Sequence, residues 1–155
     1  MLTTLARAIR GVSLGIWLGA GVMTFIAAHY VFRGGFVSTT TAGDIMGAIL
    51  HASGWMKIGL AVLALVSHAA LCCDTSVGPK PRKFGFTMLV LATLLAMFVT
   101  LYLEPKMVEL RGQFRGDPNL ENPAHVLFGK LHGASMGLAT LELIFVAAAL
   151  ICAVI

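Results

Sequence analysis

Four long apolar stretches constrain this chain more than any other feature. A helix rises about 1.5 Å per residue, so crossing a hydrocarbon layer of about 30 Å takes about 20 mostly apolar residues. The first stretch runs from Gly11 to Phe32 and contains no Lys, Arg, Asp or Glu. The second runs from about Asp44 to Cys73 and is broken only by Lys57. The third, Phe84 to Leu103, again lacks these charges. The fourth runs from about Val126 to Ile155, with Lys130 near its start and Glu142 inside it. In lipid each segment must satisfy its own backbone hydrogen bonds, which selects α-helices. The expected fold is therefore all-α, an integral membrane four-helix bundle. It forms a single domain over residues 1–155, with spans near 11–32, 44–73, 84–103 and 126–155.

Composition points the same way. Hydrophobic residues make up 58% of the chain and charged residues 12%, against about a quarter charged in soluble domains. The mean hydropathy is +0.90. A net charge of +4, spread thinly, excludes a nucleic-acid partner and leaves membrane lipid as the main one. The sequence contains no nucleotide-binding glycine loop, no nucleophile elbow and no HExxH, so a non-enzymatic role is expected.

The breaks between spans are well marked. Arg33-Gly34-Gly35 closes the first, since Gly is a common helix stop, and the polar run Ser38 to Thr41 is suited to cap the second. Gly78-Pro79-Lys80-Pro81-Arg82-Lys83 is a short basic turn. Glu104-Pro105 is expected to end the third helix, and Gly116-Asp117-Pro118 and Asn122-Pro123 bracket a loop before the fourth. The first apolar run exceeds the roughly 7–15 residues of a signal-peptide core and reads as a retained span. Arg7 and Arg10 precede the first helix, and Lys80, Arg82 and Lys83 lie between the second and third. The long loop from Glu104 to Lys130 balances its cations against Glu104, Glu109, Asp117 and Glu121. The positive-inside rule then places both termini in the cytoplasm, in a plasma (inner) membrane.

Packing between lipid-immersed helices depends on small residues and polar contacts. Gly11, Gly15 and Gly19 form a four-spaced ladder, and Gly43/Gly47 and Gly133/Gly137 repeat the spacing. We read these as close approaches inside the bundle; the alternative is a dimerisation or partner face.

Charges within the membrane are costly and should be paired. Lys57 lies roughly 24 Å, and Glu142 roughly 20 Å, from the inner ends of their spans at 1.5 Å per residue. The depths match, so the two are expected to pair, either as a structural clip or as a proton- or ion-handling site. Four of the five histidines fall toward the outer side: His29, His51, His125 and His132. His125, Phe128, His132, Ser135, Ala139 and Glu142 share one face of the fourth helix, a polar stripe that should face inward. His29, His51 and His132 are candidates to ligate a transition metal or a haem iron, though no particular cofactor is implied. Cys72, Cys73 and Cys152 fall on the cytoplasmic side, where no disulfide is expected. His68, Cys72 and Cys152 offer a soft-metal site, or the cysteines are simply small apolar fillers.

Two motifs sit at helix ends: Leu103-Glu104-Pro105-Lys106, and Phe128-Gly129-Lys130-Leu131-His132-Gly133-Ala134-Ser135. Together with Trp17 and Phe32-Arg33 they resemble the transmembrane protein 205-like family, a four-span domain without assigned function. The resemblance covers nearly the whole chain. It departs at Ala139, where the family often carries Asn. It implies that Glu104, His132 and Ser135 form an outer polar site, with Glu104 accepting a hydrogen bond from His132. The alternative is a helix-end clasp serving only folding.

Two functions of different class follow. One is an accessory or assembly subunit of a larger membrane complex, docking other subunits or a second copy through its glycine faces. The other is a transport, metal- or haem-handling protein using the outer histidines and the Lys57/Glu142 pair. The short chain, with no broken helix at mid-membrane, favours the first.

Overall fold

Each apolar stretch becomes a helix that starts ahead of its hydrophobic limit, and the third also runs past its end. The computed structural model describes residues 2–33, 38–71, 79–115 and 121–154, with backbone alone at 39, 79–81 and 154. The helices are α1 (Leu2–Arg33), α2 (Thr39–Ala70), α3 (Pro79–Phe98), α4 (Glu104–Phe114) and α5 (Pro123–Val154), with a π-helical turn, Val99–Leu103, joining α3 to α4. Four segments are long and apolar enough to cross a membrane: Leu2–Arg33, Thr40–Ala70, Arg82–Phe114 and Pro123–Ala153. A helix of 32 residues, such as α1, α2 or α5, measures about 48 Å, so its ends reach through the headgroup zone. Hydropathy marks only the hydrocarbon crossing, which is why the helices outrun the expected spans. Gly34-Gly35, Cys72, Cys73, Gly78 and Gly116-Asp117-Pro118 lie outside the described residues.

Local chemistry accounts for the ends that are described. Ser38 caps α2, its hydroxyl accepting from the Thr41 N–H at 3.2 Å. Asn122 does the same for α5, accepting from the Ala124 N–H at 2.9 Å, and Pro123 sits at the first helical position, where its missing N–H costs nothing. Pro105 corrects the expected boundary. It does not end the third helix, which continues to Phe114. A proline removes its own N–H and crowds the carbonyl four residues earlier. The π-helical turn just upstream absorbs that conflict, with the Glu104 N–H bonding to the Val99 carbonyl five residues back.

The helices close a ring: α1 packs on α2 and α5, and α3 packs on α2 and α5. Every described helix contributes to the centre except α4. Leu14 and Trp17 come from α1, Ala61 and Ala64 from α2, Leu89, Ala92 and Ala96 from α3, and Val146 and Ala149 from α5. The alanines let backbones approach closely, as lipid-immersed packing requires. The outside carries large apolar side chains such as Val12, Val62, Leu94 and Ile144, a surface suited to lipid tails.

Two of the three glycine ladders turn out differently from expectation. A Cβ added at Gly11, Gly15, Gly19, Gly133 or Gly137 would meet nothing within 4 Å, so these residues face outward and do not pack inside the bundle. Gly129 extends the α5 ladder in the same way. The reason is rotational. At 100° per residue, the α1 ladder lies about 130° around the helix from the Leu14/Trp17 face that enters the core. Close approach occurs in the Gly43/Gly47 ladder and at glycines outside the ladders. Gly54 accommodates Thr100, whose Oγ1 would lie 2.6 Å from an added Cβ, and Gly21 accommodates the Leu143 side chain. Gly43 makes room for the Arg111 guanidinium.

Candidate functional site

Trp17, Lys57 and Glu142 each stand near the middle of a 32-residue helix, hence at similar depth in the membrane. The ring of helices brings them together. Glu142 is the most enclosed charged side chain among the described residues, 1% exposed. Lys57 Nζ lies 3.1 Å from Glu142 Oε1. The Trp17 indole N–H donates to the same oxygen at 2.8 Å. Trp17 is fully buried and Lys57 nearly so, its side chain 13% exposed. Local sequence explains the convergence. Gly21, one turn beyond Trp17, lets Leu143 of α5 come against α1, and Glu142 is the residue just before it.

A carboxylate in this setting needs its charge matched and its lone pairs used. Lys57 supplies the opposite charge, and Trp17 supplies a rigid neutral donor. At 1% exposure the carboxylate is shielded from bulk water.

The outer polar residues are arranged otherwise. Glu104 is buried, and its Oε1 lies 3.4 Å from Nδ1 of His51, which is largely exposed. The expected Glu104–His132 hydrogen bond is thus replaced by Glu104–His51. His132 is exposed and stacks on Phe128, with ring centroids 5.9 Å apart, while Ser135 is half-buried one turn deeper. The structure therefore does not bring Glu104, His132 and Ser135 together. The physical reason is again rotation: Glu104 turns toward α2, and His132 stands on the outer side of α5. His125 stacks on Phe114, centroids 4.5 Å apart, so the motif Phe128 and two histidines form an aromatic clasp between α4 and α5.

His29, His51 and His132 are likewise not gathered. His29 makes an edge contact with Tyr30 and His51 with Trp55. Among the described residues, no group of three or more His, Cys, Asp or Glu is placed to hold a metal ion. His68 and Cys152 line one small cavity; Cys72 and Cys73 lie outside the described residues.

Sequence reasoning missed Trp17 as a partner of Glu142. The signal was available: a tryptophan in mid-span cannot reach the interface with its N–H and must find an acceptor at its own depth.

These features define a class, the small polytopic membrane protein built as four spanning helices around a buried charge pair. A family model, a domain of unknown function (DUF4149), matches residues 12–115, and the chain belongs to that family. The matched region holds Trp17, Lys57 and Glu104; Glu142 and the Phe128–Ser135 motif lie beyond it. The match does not tie the chain to the transmembrane protein 205-like family. No curated protein and no solved structure matches the chain.

Proposed function

We propose that this protein is an accessory or assembly subunit of a larger membrane complex, docking transmembrane helices of partner subunits through its outward glycine faces. The observation that supports it is the open space over Gly11, Gly15 and Gly19 on α1 and over Gly129, Gly133 and Gly137 on α5. Glycine four apart removes side chains from a strip of helix and exposes the backbone to close approach by another helix. On this reading the Lys57–Glu142–Trp17 cluster holds the subunit's own helices in register. The protein resides in a plasma (inner) membrane with both termini cytoplasmic, consistent with Arg7, Arg10, Arg82 and Lys83 lying at one end of the bundle. The resemblance to the transmembrane protein 205-like family is compatible with this role and adds no ligand to it.

A second reading is favoured by one specific observation, the ion pair at mid-membrane. Intramembrane charges often mark ion or proton pathways. On that reading the protein moves a proton or ion past Lys57 and Glu142 as an oligomer, since four helices alone enclose little space.

Purification from its native membrane in mild detergent, followed by mass and metal analysis, separates the two. Stoichiometric partner subunits that are lost in a Gly15→Leu, Gly133→Leu variant support docking. A lone oligomer, or one carrying stoichiometric metal or haem, contradicts it and favours the second reading.

A further inference from the structure

The end of the bundle that carries both the start of α1 and the start of α3 is strongly basic. Arg7, Arg10, His68 and Arg82 line a small cavity there, over an apolar floor that includes Leu14 and Leu89, and among the described residues no Asp or Glu lines it. Arg10 is buried, 8% exposed. Its Nη1 lies 3.2 Å from Nδ1 of His68, and its Nη2 donates to the Ala153 carbonyl at 3.3 Å. Since guanidinium only donates, His68 Nδ1 is the acceptor in that contact. Arg10 Nε is buried with no partner. A buried guanidinium without a carboxylate, and with a donor left unmet, is a costly arrangement for folding alone.

Charge balance over the whole end points the same way. Asp74, in the 72–78 connection outside the described residues, is the one acidic residue that the sequence puts near this end, against three arginines and Lys80 and Lys83. Whatever Arg7 and Arg82 contact, positive charge stays in excess. Depth adds a further constraint. Arg7 lies about 15 Å along α1 from the level of Trp17, at the boundary of a hydrocarbon layer about 30 Å thick, and Arg10 lies about 10 Å away, just inside it. Lipid phosphates lie just beyond that boundary, within reach of long arginine side chains.

We propose that Arg7, Arg10, His68 and Arg82 form a binding site for a phosphate-bearing anion, presented by the headgroup of an anionic lipid. The enclosed space, about 20 Å³, holds one water-sized group, so a single phosphate oxygen enters toward Arg10. The rest of the phosphate stays at the mouth, between the exposed Arg7 and the half-buried Arg82. Arginine suits this task because its fork of donors matches phosphate oxygens. Basic pockets between transmembrane helices hold lipid headgroups by the same chemistry. The site is separate from the glycine faces and does not depend on the docking role.

The test uses the purified full chain in a neutral detergent. Its melting temperature is followed while phosphatidylglycerol, phosphatidylcholine or inorganic phosphate is added. A saturable upward shift with phosphatidylglycerol, and none with phosphatidylcholine, is expected. In an Arg7→Gln, Arg82→Gln variant, altered only at the rim, the apparent affinity should fall about fivefold per arginine removed. Arg10→Lys keeps the charge but loses the fork, and should weaken binding while the protein remains folded. A shift with inorganic phosphate alone, lost in the same variants, would keep the phosphate site but move its source to a soluble anion. No shift with either, or equal shifts in wild type and all variants, would overturn the proposal.

Discussion

Lys57 and Glu142 meet 3.1 Å apart at the centre of the membrane-spanning bundle, one nearly and the other almost completely enclosed. Neither charge is tolerable there without the other. Lys57 also lies on the helix that presents His51 to Glu104, so α2 supplies nitrogen partners to carboxylates on α5 and at the start of α4.

Trp17 is the neutral half of the same site. A Trp17→Phe variant keeps most of the ring volume and removes the indole N–H. Hydrogen bonds to charged groups contribute about 1.5–3 kcal/mol, and a loss of that order is expected in denaturant melts. Trp55 is the only other tryptophan, so the fluorescence of the variant reports Trp55 alone and its difference from wild type isolates the Trp17 signal.

Gly54 and Thr100 test the packing at the π-helical turn. A methyl group at position 54 would fall 2.6 Å from Thr100 Oγ1 and 2.8 Å from its Cγ2. Gly54→Ala should destabilise the protein by about 1–3 kcal/mol through overpacking. Adding Thr100→Ala should recover most of that loss. Equal stability of wild type and Gly54→Ala would mean that α2 and the π-helical turn do not approach so closely.

The ion-pair group that ties Asp44 of α2 to Arg111 and Arg115 beyond the π-helical turn is a surface feature and should behave as one. Asp44 receives Arg111 at 3.1 Å and Arg115 at 3.0 Å, and Arg111 also donates to the Thr40 carbonyl. Asp44 is about half exposed, so Asp44→Asn should cost no more than about 1 kcal/mol, less in high salt. A loss of several kcal/mol in stability assays would show that this end is buried, as against the exposed position described.

Much of the fold was legible in the sequence because length and apolarity are one-dimensional signals. Four long apolar runs announce four helices, and counting residues from their ends sets Lys57 and Glu142 at one depth. What depth does not carry is rotation about the helix axis. Glu104, His51 and His132 all read as outer residues, yet only His51 turns toward Glu104. The same ambiguity hid the direction of the Gly11–Gly15–Gly19 ladder, whose spacing is identical whether it faces a neighbour or lipid. Pro105 was misleading for a different reason. Proline reads as a stop, but a π-helical turn placed just before it lets the helix continue. Trp17 was overlooked because a tryptophan in an apolar run looks like core, and its single polar atom leaves no periodic trace.

A double-mutant cycle on Lys57→Met and Glu142→Gln, read as unfolding free energy in detergent, tests the central pairing most directly. Each single change strands a buried group, and breaking one partner of a buried pair costs about 3–5 kcal/mol. The double variant replaces both charges with neutral groups of similar size and should be more stable than Lys57→Met alone. Strictly additive losses, with the double variant the least stable of the four, would show that Lys57 and Glu142 do not neutralise one another and would contradict the site as described.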